Sequence, residues 1–296
     1  MIPCTRNFLH LEKTGKKPLK IVVFSDLHLN DGSFDQAVLN HMIARIRSLS
    51  KNYEVLVIYL GDFLNPGDIM DISLMAQHAG NPSGLSAAVQ TRLVIERRSI
   101  NRIIKLIYNN GGRVILALRG NEDEHIRNTY SFDLFEDLIT RNVPVYSNQC
   151  NLVISMKDSD LWIPCYHKLK YSSNYKGVLT KSMIMRHNDQ HSNLFVGKKI
   201  IFHAHAVLQG HNHVGHINRY EVPVNDPRVG GVGFYSWVNI PSFKNEVRCG
   251  HASLNLALGS QPSGAGYAEL SFEDGILTPE LKTAARPDSK GHSLAF

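Results

Sequence analysis

Four short blocks of possible metal ligands mark this chain, and each follows a run of apolar residues. Asp26-x-His28 follows residues 21–24, and the other three blocks follow residues 55–60, 114–118 and 206–209; they read Gly61-Asp62, Gly120-Asn121-Glu122-Asp123 and Gly210-His211-Asn212-His213. Apolar runs of this length, rich in β-branched residues, are typical of buried strands. The blocks therefore predict carboxylate, amide and imidazole groups at the ends of strands.

The first block shows why the spacing suits a cation. Residues two apart in an extended segment point the same way, so the Asp26 carboxylate and the His28 imidazole can converge on one ion. Alone, this pair favours a capping Asp and a surface His. All four blocks together provide the mixture of carboxylate, amide and imidazole that holds two divalent ions, which need a bridging carboxylate. Such a ligand set without a thiolate suits manganese, iron or zinc.

The elements between the first two blocks predict that these two meet at one sheet edge. Apolar residues at helical spacing predict a helix over 35–49, between the first two strands. A strand–helix–strand unit is a parallel crossover, and ligands bind at the carboxyl ends of such strands. A second helix over 85–109 leads to the third strand, at 114–118. Asp26, His28 and Asp62 are thus expected at one edge, and the third strand leads into Asn121.

The rest of the chain has weaker signals. We expect a helix around 132–140, strands near 143–146, 151–156, 161–166 and 182–186, and a helix over 195–204 before the last strand. His203 and His205 lie on or just after that helix and are expected to be structural. Residues 1–17 read as a polar lead-in. We expect one domain over 1–276 and a loosely attached tail over 277–296.

Composition limits the class of protein. The chain has 296 residues, 43% of them hydrophobic, which allows a substantial core. It has no apolar run of about 18 residues and no apolar segment of signal-peptide type in residues 1–20, so we expect no membrane span and a cytoplasmic location. Four scattered cysteines predict free thiols. The net charge of +6 favours anionic partners, including nucleic acid, as does a basic helix face around Arg97.

The four blocks, in this order, resemble the calcineurin-like metallophosphoesterase family over residues 20–275. The resemblance implies an α/β fold, an αββα sandwich of two mixed sheets flanked by helices, with a two-metal centre. It implies that Asp26, His28 and His213 hold one ion, that Asp62 bridges, and that Asn121 and His211 hold the other. The ions are expected to be Mn²⁺, with iron or zinc as alternatives, and a bridging hydroxide is expected to attack the phosphoester.

The resemblance also requires one more histidine for the second ion, at a strand end between the third and fourth blocks. His187 follows the predicted strand at 182–186 and is the preferred candidate. His167, after the strand at 161–166, and His191 are the alternatives.

The third block departs from the family pattern, which has a histidine where this chain has Glu122. In the family that histidine contacts the phosphoryl group and helps to protonate the leaving oxygen, although a phosphodiesterase branch has cysteine there. The candidate catalytic residues are Glu122, Asp123 and His125. The His125 side chain could rotate toward the site and act as the proton donor. An ionised Glu122 would repel a phosphate dianion, so a phosphodiesterase or nuclease acting on nucleic acid or a nucleotide is favoured. A phosphomonoesterase, including a protein phosphatase, and a non-catalytic scaffold are the alternatives.

Overall fold

A computed structural model describes residues 7–13, 15–29, 31–67, 82–157, 159–168, 192–196, 199–224, 231–244, 265–273 and 276–283. The strands of the described residues are β1 Phe8–Glu12, β2 Leu19–Phe24, β3 Glu54–Tyr59, β4 Gly112–Arg119, β5 Val145–Ser147, β6 Gln149–Ser155, β7 Asp160–Tyr166, β8 Ser192–Val196, β9 Lys199–His203, β10 Ala206–Gln209, β11 His216–Val224, β12 Gly231–Asn239, β13 Gly266–Glu273 and β14 Ile276–Thr283. The helices are α1 Gln36–Leu49, α2 Pro82–Asn109, α3 Asn121–Tyr130 and α4 Glu136–Ile139.

Two six-stranded mixed sheets form the body of the fold. One has the order β14-β13-β2-β3-β4-β5 and the other the order β1-β6-β7-β10-β12-β11. Strands β2, β3, β4 and β5 are parallel neighbours, and β13 joins them antiparallel. In the other sheet β7, β10 and β12 run parallel. The predicted sandwich of two mixed sheets is confirmed.

Alternation along the strands explains why the sheets stack. Ile21 and Val23 of β2 belong to one buried cluster, which also contains Leu152 and Ile163 from the other sheet. This cluster is therefore the layer between the sheets. The intervening Val22 and Phe24 belong to a second cluster with the apolar face of α1 and α2. A strand covered on both faces is apolar throughout, as β2 and β3 are.

The helices are placed by local signals. Asp35 caps α1, because its Oδ1 accepts a hydrogen bond of 3.0 Å from the N–H of Ala37. The residues Val38, Met42 and Ile46 of α1 are buried against β2 and β3. Gly111, at φ 84°, allows the turn from α2 into β4. No helix among the described residues is both long and apolar enough to cross a membrane.

Four segments differ from the sequence expectation. The expected helix over 195–204 is instead a hairpin of β8 and β9. The sequence Gly197-Lys198 is flanked on both sides by apolar residues, Leu194–Val196 and Ile200–Phe202. Two apolar runs around such a pair are a hairpin signal, which outweighs the helical spacing.

The segment expected to be a polar lead-in contains β1, which pairs with β6 in parallel. The supposed tail begins with β14, which pairs with β13 throughout, while residues after 283 lie outside the described ones. Finally, α3 immediately follows β4, where no helix was expected.

Candidate metal centre

Five strands carry the candidate ligands at their carboxyl ends. The ends of β2, β3 and β4 lead into the blocks that contain Asp26 and His28, then Asp62, then Asn121. In the other sheet, β7 leads directly into His167, and its neighbour β10 leads into His211 and His213. The parallel pairing within each sheet brings these ends to one edge, as the sequence predicted for the first sheet.

The first group of ligand atoms comes from Asp26, His28 and His213, whose ligand atoms all lie within 4.8 Å of one another. The Nε2 atoms of the two histidines are 3.3 Å apart. Asp26 Oδ1 lies 3.5 Å from Nε2 of His213 and 3.9 Å from Nε2 of His28. Three groups with lone pairs facing one point are the arrangement that a cation requires.

The second group contains Asp62, His167 and His211, again within 4.8 Å. Asp62 Oδ2 lies 3.0 Å from Nε2 of His167. The amide oxygen of Asn121 lies 3.2 Å from the same nitrogen. The His167 and His211 rings meet edge to face, with centroids 5.2 Å apart. The group therefore combines a carboxylate, an amide oxygen and two imidazoles.

The two groups adjoin each other at Asp62. His28, of the first group, and Asp62, of the second, also lie within 4.8 Å of each other. Asp62 is 1% exposed, so its carboxylate is available to the two groups and not to solvent. The position suits a carboxylate that bridges two ions.

The buried atoms of the first group fit a cation. Asp26 Oδ1 is buried and accepts no good hydrogen bond, because its distance of 3.5 Å from His213 is long for one. Burial raises the pKa of Asp26, but the imidazoles of His213, His167 and His28 lower it further, so the group is an anion. Asp26 Oδ2 accepts a 2.9 Å hydrogen bond from the N–H of His211, so Oδ1 is the oxygen that a divalent ion would satisfy.

The backbone of the site is unusual. Five candidate ligands have positive φ: Asp26 (51°), His28 (44°), Asp62 (60°), His211 (66°) and His213 (59°). Asp and His tolerate the left-handed region better than most residues, but it is still uncommon for them. These residues belong to the first, second and fourth blocks.

Gly120 allows the third block to lie directly against Asp62 of the second block. A Cβ at this position would lie 1.9 Å from Asp62 Oδ1 and 2.6 Å from the Asp62 nitrogen. The turn from β4 into α3 therefore lies directly against the Asp62 carboxylate. The N–H of Glu122, two residues later, donates a 3.0 Å hydrogen bond to Asp62 Oδ1.

Asp123 holds the blocks in position through their backbone. Its Oδ2 accepts hydrogen bonds from the N–H groups of Asp62 (2.8 Å) and Gly120 (3.0 Å), and its Oδ1 accepts one from Phe63 (3.0 Å). Burial raises the pKa of Asp123 to about 8, and the Asp62 carboxylate raises it in the same direction. With its oxygens on three backbone groups, Asp123 supports the backbone of the site, and its catalytic role stays a prediction.

His167 is oriented for a ligand role. Its Nδ1 lies 2.6 Å from the carbonyl oxygen of Leu60, and since a carbonyl only accepts, Nδ1 carries a proton, which leaves Nε2 as the nitrogen that could bind a metal ion. The N–H of His167 donates to the carbonyl of Asn148, whose own Oδ1 accepts from the N–H of Lys168. Burial lowers the pKa of His167, but the Asp62 carboxylate raises it more, to about 9. Burial, with His167 and Lys168, lowers the pKa of His211 to about 4.

The structure brings His167 into the cluster, where the sequence favoured His187. His187 and His191 lie outside the described residues. His205 is hydrogen-bonded through both its N–H and its Nδ1 to the backbone of Trp162, which agrees with a structural role. His125 is exposed on α3 and belongs to none of the ligand groups among the described residues.

Glu122 does approach the cluster. Its Oε2 lies 3.0 Å from Nδ1 of His28, and its side chain is 26% exposed. With His28 and Asp62 it forms a third set of possible ligands.

Sequence reasoning missed the supports of His167. Asn148 has left-handed backbone (φ 58°) between β5 and β6, and an Asn after a serine at the end of a short strand is a turn signal that could have been noticed. The role of the Leu60 carbonyl carries no signal in the sequence, because every residue has such a group.

Comparisons with known proteins agree with this arrangement. Over residues 19–278 the chain matches the family model of the calcineurin-like phosphoesterases. No curated protein is similar enough to count as a match.

Similar solved structures include a dimetal phosphatase from Danio rerio, with 9% identity, 90% of this chain and 97% of that chain covered, and a TM-score of 0.39. A cold-active protein tyrosine phosphatase has 14% identity, coverage of 92% and 80%, and a TM-score of 0.32. GAP50, described as the anchor in the inner membrane complex of Plasmodium, has 9% identity, coverage of 95% and 88%, and a TM-score of 0.31. None of these three likenesses bears on activity. The family match contains every block of ligands, and the chain belongs to the calcineurin-like phosphoesterase family.

Proposed function

We propose that this protein is a dinuclear-metal-dependent phosphodiesterase that acts on nucleic acid or a nucleotide. The observation that carries the proposal is the pair of adjoining ligand groups at the sheet edge, joined at the buried Asp62. A phosphoesterase family and two such groups together favour hydrolysis over a purely structural use of the fold.

The distances support an assignment of the ligand roles. Asp26, His28 and His213 would hold one ion, and Asn121, His167 and His211 the other, with Asp62 between them. His167 replaces His187 in this assignment. The hydrogen bond from His167 Nδ1 to Leu60 fixes the ring so that Nε2 faces the second ion, which is how metal-binding histidines are usually oriented.

Two divalent ions would supply Lewis-acid activation of water and of the phosphoryl oxygens. The residues of the chain would support the two ions in two ways. Asp123 fixes the backbone of the Asp62 and Gly120 turns, so that the bridging carboxylate stays in place. Burial of Asp26, His28 and Asp62 excludes water from the ligands, which strengthens their interaction with charge.

The preference for diesters rests on Glu122. A carboxylate stands where the family pattern has a histidine, and it contacts the ligand His28 at 3.0 Å. Two unit charges about 4 Å apart interact by roughly 4 kcal/mol at an effective dielectric constant of 20. Metal charge and solvent cancel much of this repulsion, but a remaining difference of about 1.4 kcal/mol in activation free energy already changes the rate tenfold. A diester has one negative charge and a monoester two, so the diester meets less repulsion.

The net charge of +6 supports an anionic substrate but does not identify it. The basic face of α2 adds little support. Arg92 forms an ion pair with Glu96 at 2.7 Å, and Arg97 forms one with Glu136 at 2.5 Å. These charges are matched within the protein. The support for a nucleic-acid substrate therefore comes from the net charge and from the expected preference for diesters, and not from this helix face.

Metal content tests the centre. Elemental analysis of the wild-type protein should give two divalent ions per chain, and Asp62→Asn should lose a large share of them. Unchanged occupancy in Asp62→Asn would remove Asp62 from the bridging role.

Matched substrates test the reaction. Aryl monoesters and diesters of the same alcohol, cyclic nucleotides, and single- and double-stranded DNA should be compared at one pH with saturating Mn²⁺. We expect the diester to be hydrolysed faster, and Glu122→His to raise monoester turnover more than diester turnover. A wild-type preference for the monoester would favour a phosphomonoesterase. No turnover of any ester by metal-loaded protein would favour a non-catalytic scaffold.

A further inference from the structure

The two ring nitrogens of His28 face different groups. Nε2 faces the first ligand group, 3.3 Å from Nε2 of His213 and 3.9 Å from Asp26 Oδ1. Nδ1 faces the carboxylate of Glu122, with 3.0 Å between Nδ1 and Oε2. The side chain of His28 is fully buried, so neither nitrogen has access to bulk water. Each nitrogen must therefore use the neighbour that the fold provides.

Nδ1 of His28 and Oε2 of Glu122 are both buried atoms without any hydrogen-bond partner. The two atoms are at hydrogen-bonding distance, 3.0 Å apart. If Nε2 binds a metal ion through its lone pair, Nδ1 must carry the ring proton. A carboxylate is a strong acceptor for that proton, and leaving the N–H unpaired in a buried site costs about 1–3 kcal/mol.

Glu122 is held in this position by its own backbone. It lies at the start of α3, and its N–H donates to Asp62 Oδ1 at 3.0 Å. The other glutamate of this turn, Glu124, points elsewhere, because its Oε1 accepts a 2.6 Å hydrogen bond from the hydroxyl of Ser147. The first turn of α3 therefore directs one glutamate to the ligand cluster and the other away from it.

We propose that Glu122 is a positioning residue for the metal ligand His28. Its carboxylate accepts the hydrogen bond of Nδ1–H, fixes the tautomer and the ring orientation, and makes Nε2 a stronger ligand. This role rests on the metal centre proposed above. It gives the carboxylate in the third block a function of its own: the residue acts on a ligand of the first ion instead of donating a proton to the substrate.

Metal affinity of three variants tests the proposal. Mn²⁺ affinity should be measured by competition with a fluorescent chelator for Glu122→Ala, Glu122→Gln and the control Glu124→Ala, which removes a carboxylate from the same helical turn. Loss of such a supporting partner typically weakens metal binding by about 10–100-fold. We expect that loss at one of two sites in Glu122→Ala, near wild-type affinity in Glu122→Gln, whose amide oxygen still accepts, and no change in Glu124→Ala.

A spectroscopic measurement follows the ring proton itself. In Co²⁺-loaded protein with ¹⁵N-labelled histidine, the exchangeable N–H resonance of His28 should persist in wild type and Glu122→Gln and broaden through exchange with water in Glu122→Ala. Equal weakening in Glu122→Gln and Glu122→Ala would mean that Glu122 acts through its charge or as a direct ligand, and would overturn the proposal. Unchanged affinity in Glu122→Ala would also overturn it. Failure of the wild-type protein to bind two ions would instead overturn the metal centre.

Discussion

A single added methyl group at Gly120 should remove the bridging ligand. The backbone of Gly120 (φ −80°, ψ 178°) suits any residue, so Gly120→Ala tests the space around the turn and not its conformation. The new Cβ would lie 1.9 Å from Asp62 Oδ1 and 2.5 Å from Asp62 Cγ. To reach the 3.4 Å of ordinary contact, the oxygen must retreat by about 1.5 Å.

This displacement is far larger than a metal site tolerates, since ligand distances hold to about ±0.2 Å. The backbone of Asp62 cannot move away easily, because its N–H is bonded to the buried Asp123 carboxylate at 2.8 Å. The Asp62 side chain should therefore leave the shared position between the two ligand groups. We expect Gly120→Ala to bind at most one ion and to lose about 1–3 kcal/mol of unfolding free energy from overpacking.

Two measurements separate these effects. Isothermal titration with Mn²⁺ gives the stoichiometry and affinity, and urea unfolding in the presence of a chelator gives the stability of the metal-free fold. Gly32→Ala is the matched control, because a Cβ there meets nothing within 4 Å. Two ions bound with wild-type affinity by a folded Gly120→Ala protein would refute the claim that this turn presses against Asp62.

Further predictions concern three other side chains. His167→Ala should abolish binding of the second ion, measured by titration, whereas His187→Ala should leave it; the opposite result would restore the sequence-based assignment. Asp123→Asn keeps one oxygen acceptor and leaves at least one buried N–H unpaired, so urea unfolding should show a loss of about 1–3 kcal/mol. Burial raises the pKa of Asp31, but hydrogen bonds and the nearby Lys244, 3.0 Å away, lower it well below its usual range. Its contribution to stability is therefore present above about pH 4 and is lost as the pH falls through the lowered pKa, so the destabilisation by Asp31→Asn should shrink on acidification. A destabilisation that is independent of pH would contradict this.

The parallel part of the fold could be predicted because its signals are local. The apolar runs before Asp26, Asp62 and Asn121 are continuous, and a helix separates each from the next, which together specify a parallel sheet. The position of His167 could not be found in this way. Both His167 and His187 follow predicted strands, and the choice depends on which strand lies beside β10, a pairing that joins residues about forty positions apart and leaves no mark in either segment.

The edges of the sheets were missed for a related reason. β1 has only five residues, none of them buried, and β14 has one buried residue among eight and contains a proline, so neither has the apolar run of a core strand. β1 forms a strand because it can pair with the edge of β6, and β14 forms one because it can pair with the edge of β13. The departure at Glu122, in contrast, was visible in the sequence, but its contact with His28 was not, since 94 residues of chain separate them.

The left-handed backbone conformation of the candidate ligands lowers the stability of the fold at the positions that metal binding requires. Five non-glycine residues in this conformation cost of order 1–3 kcal/mol each, and their sum is comparable with the roughly 5–15 kcal/mol that separates a whole folded domain from its unfolded state. Glycine would relieve that strain at Asp26, His28, Asp62, His211 or His213, and would remove a ligand each time. Selection of this chain for heat resistance alone, without a requirement for turnover, would therefore be expected to erode the metal centre before it altered the sheets.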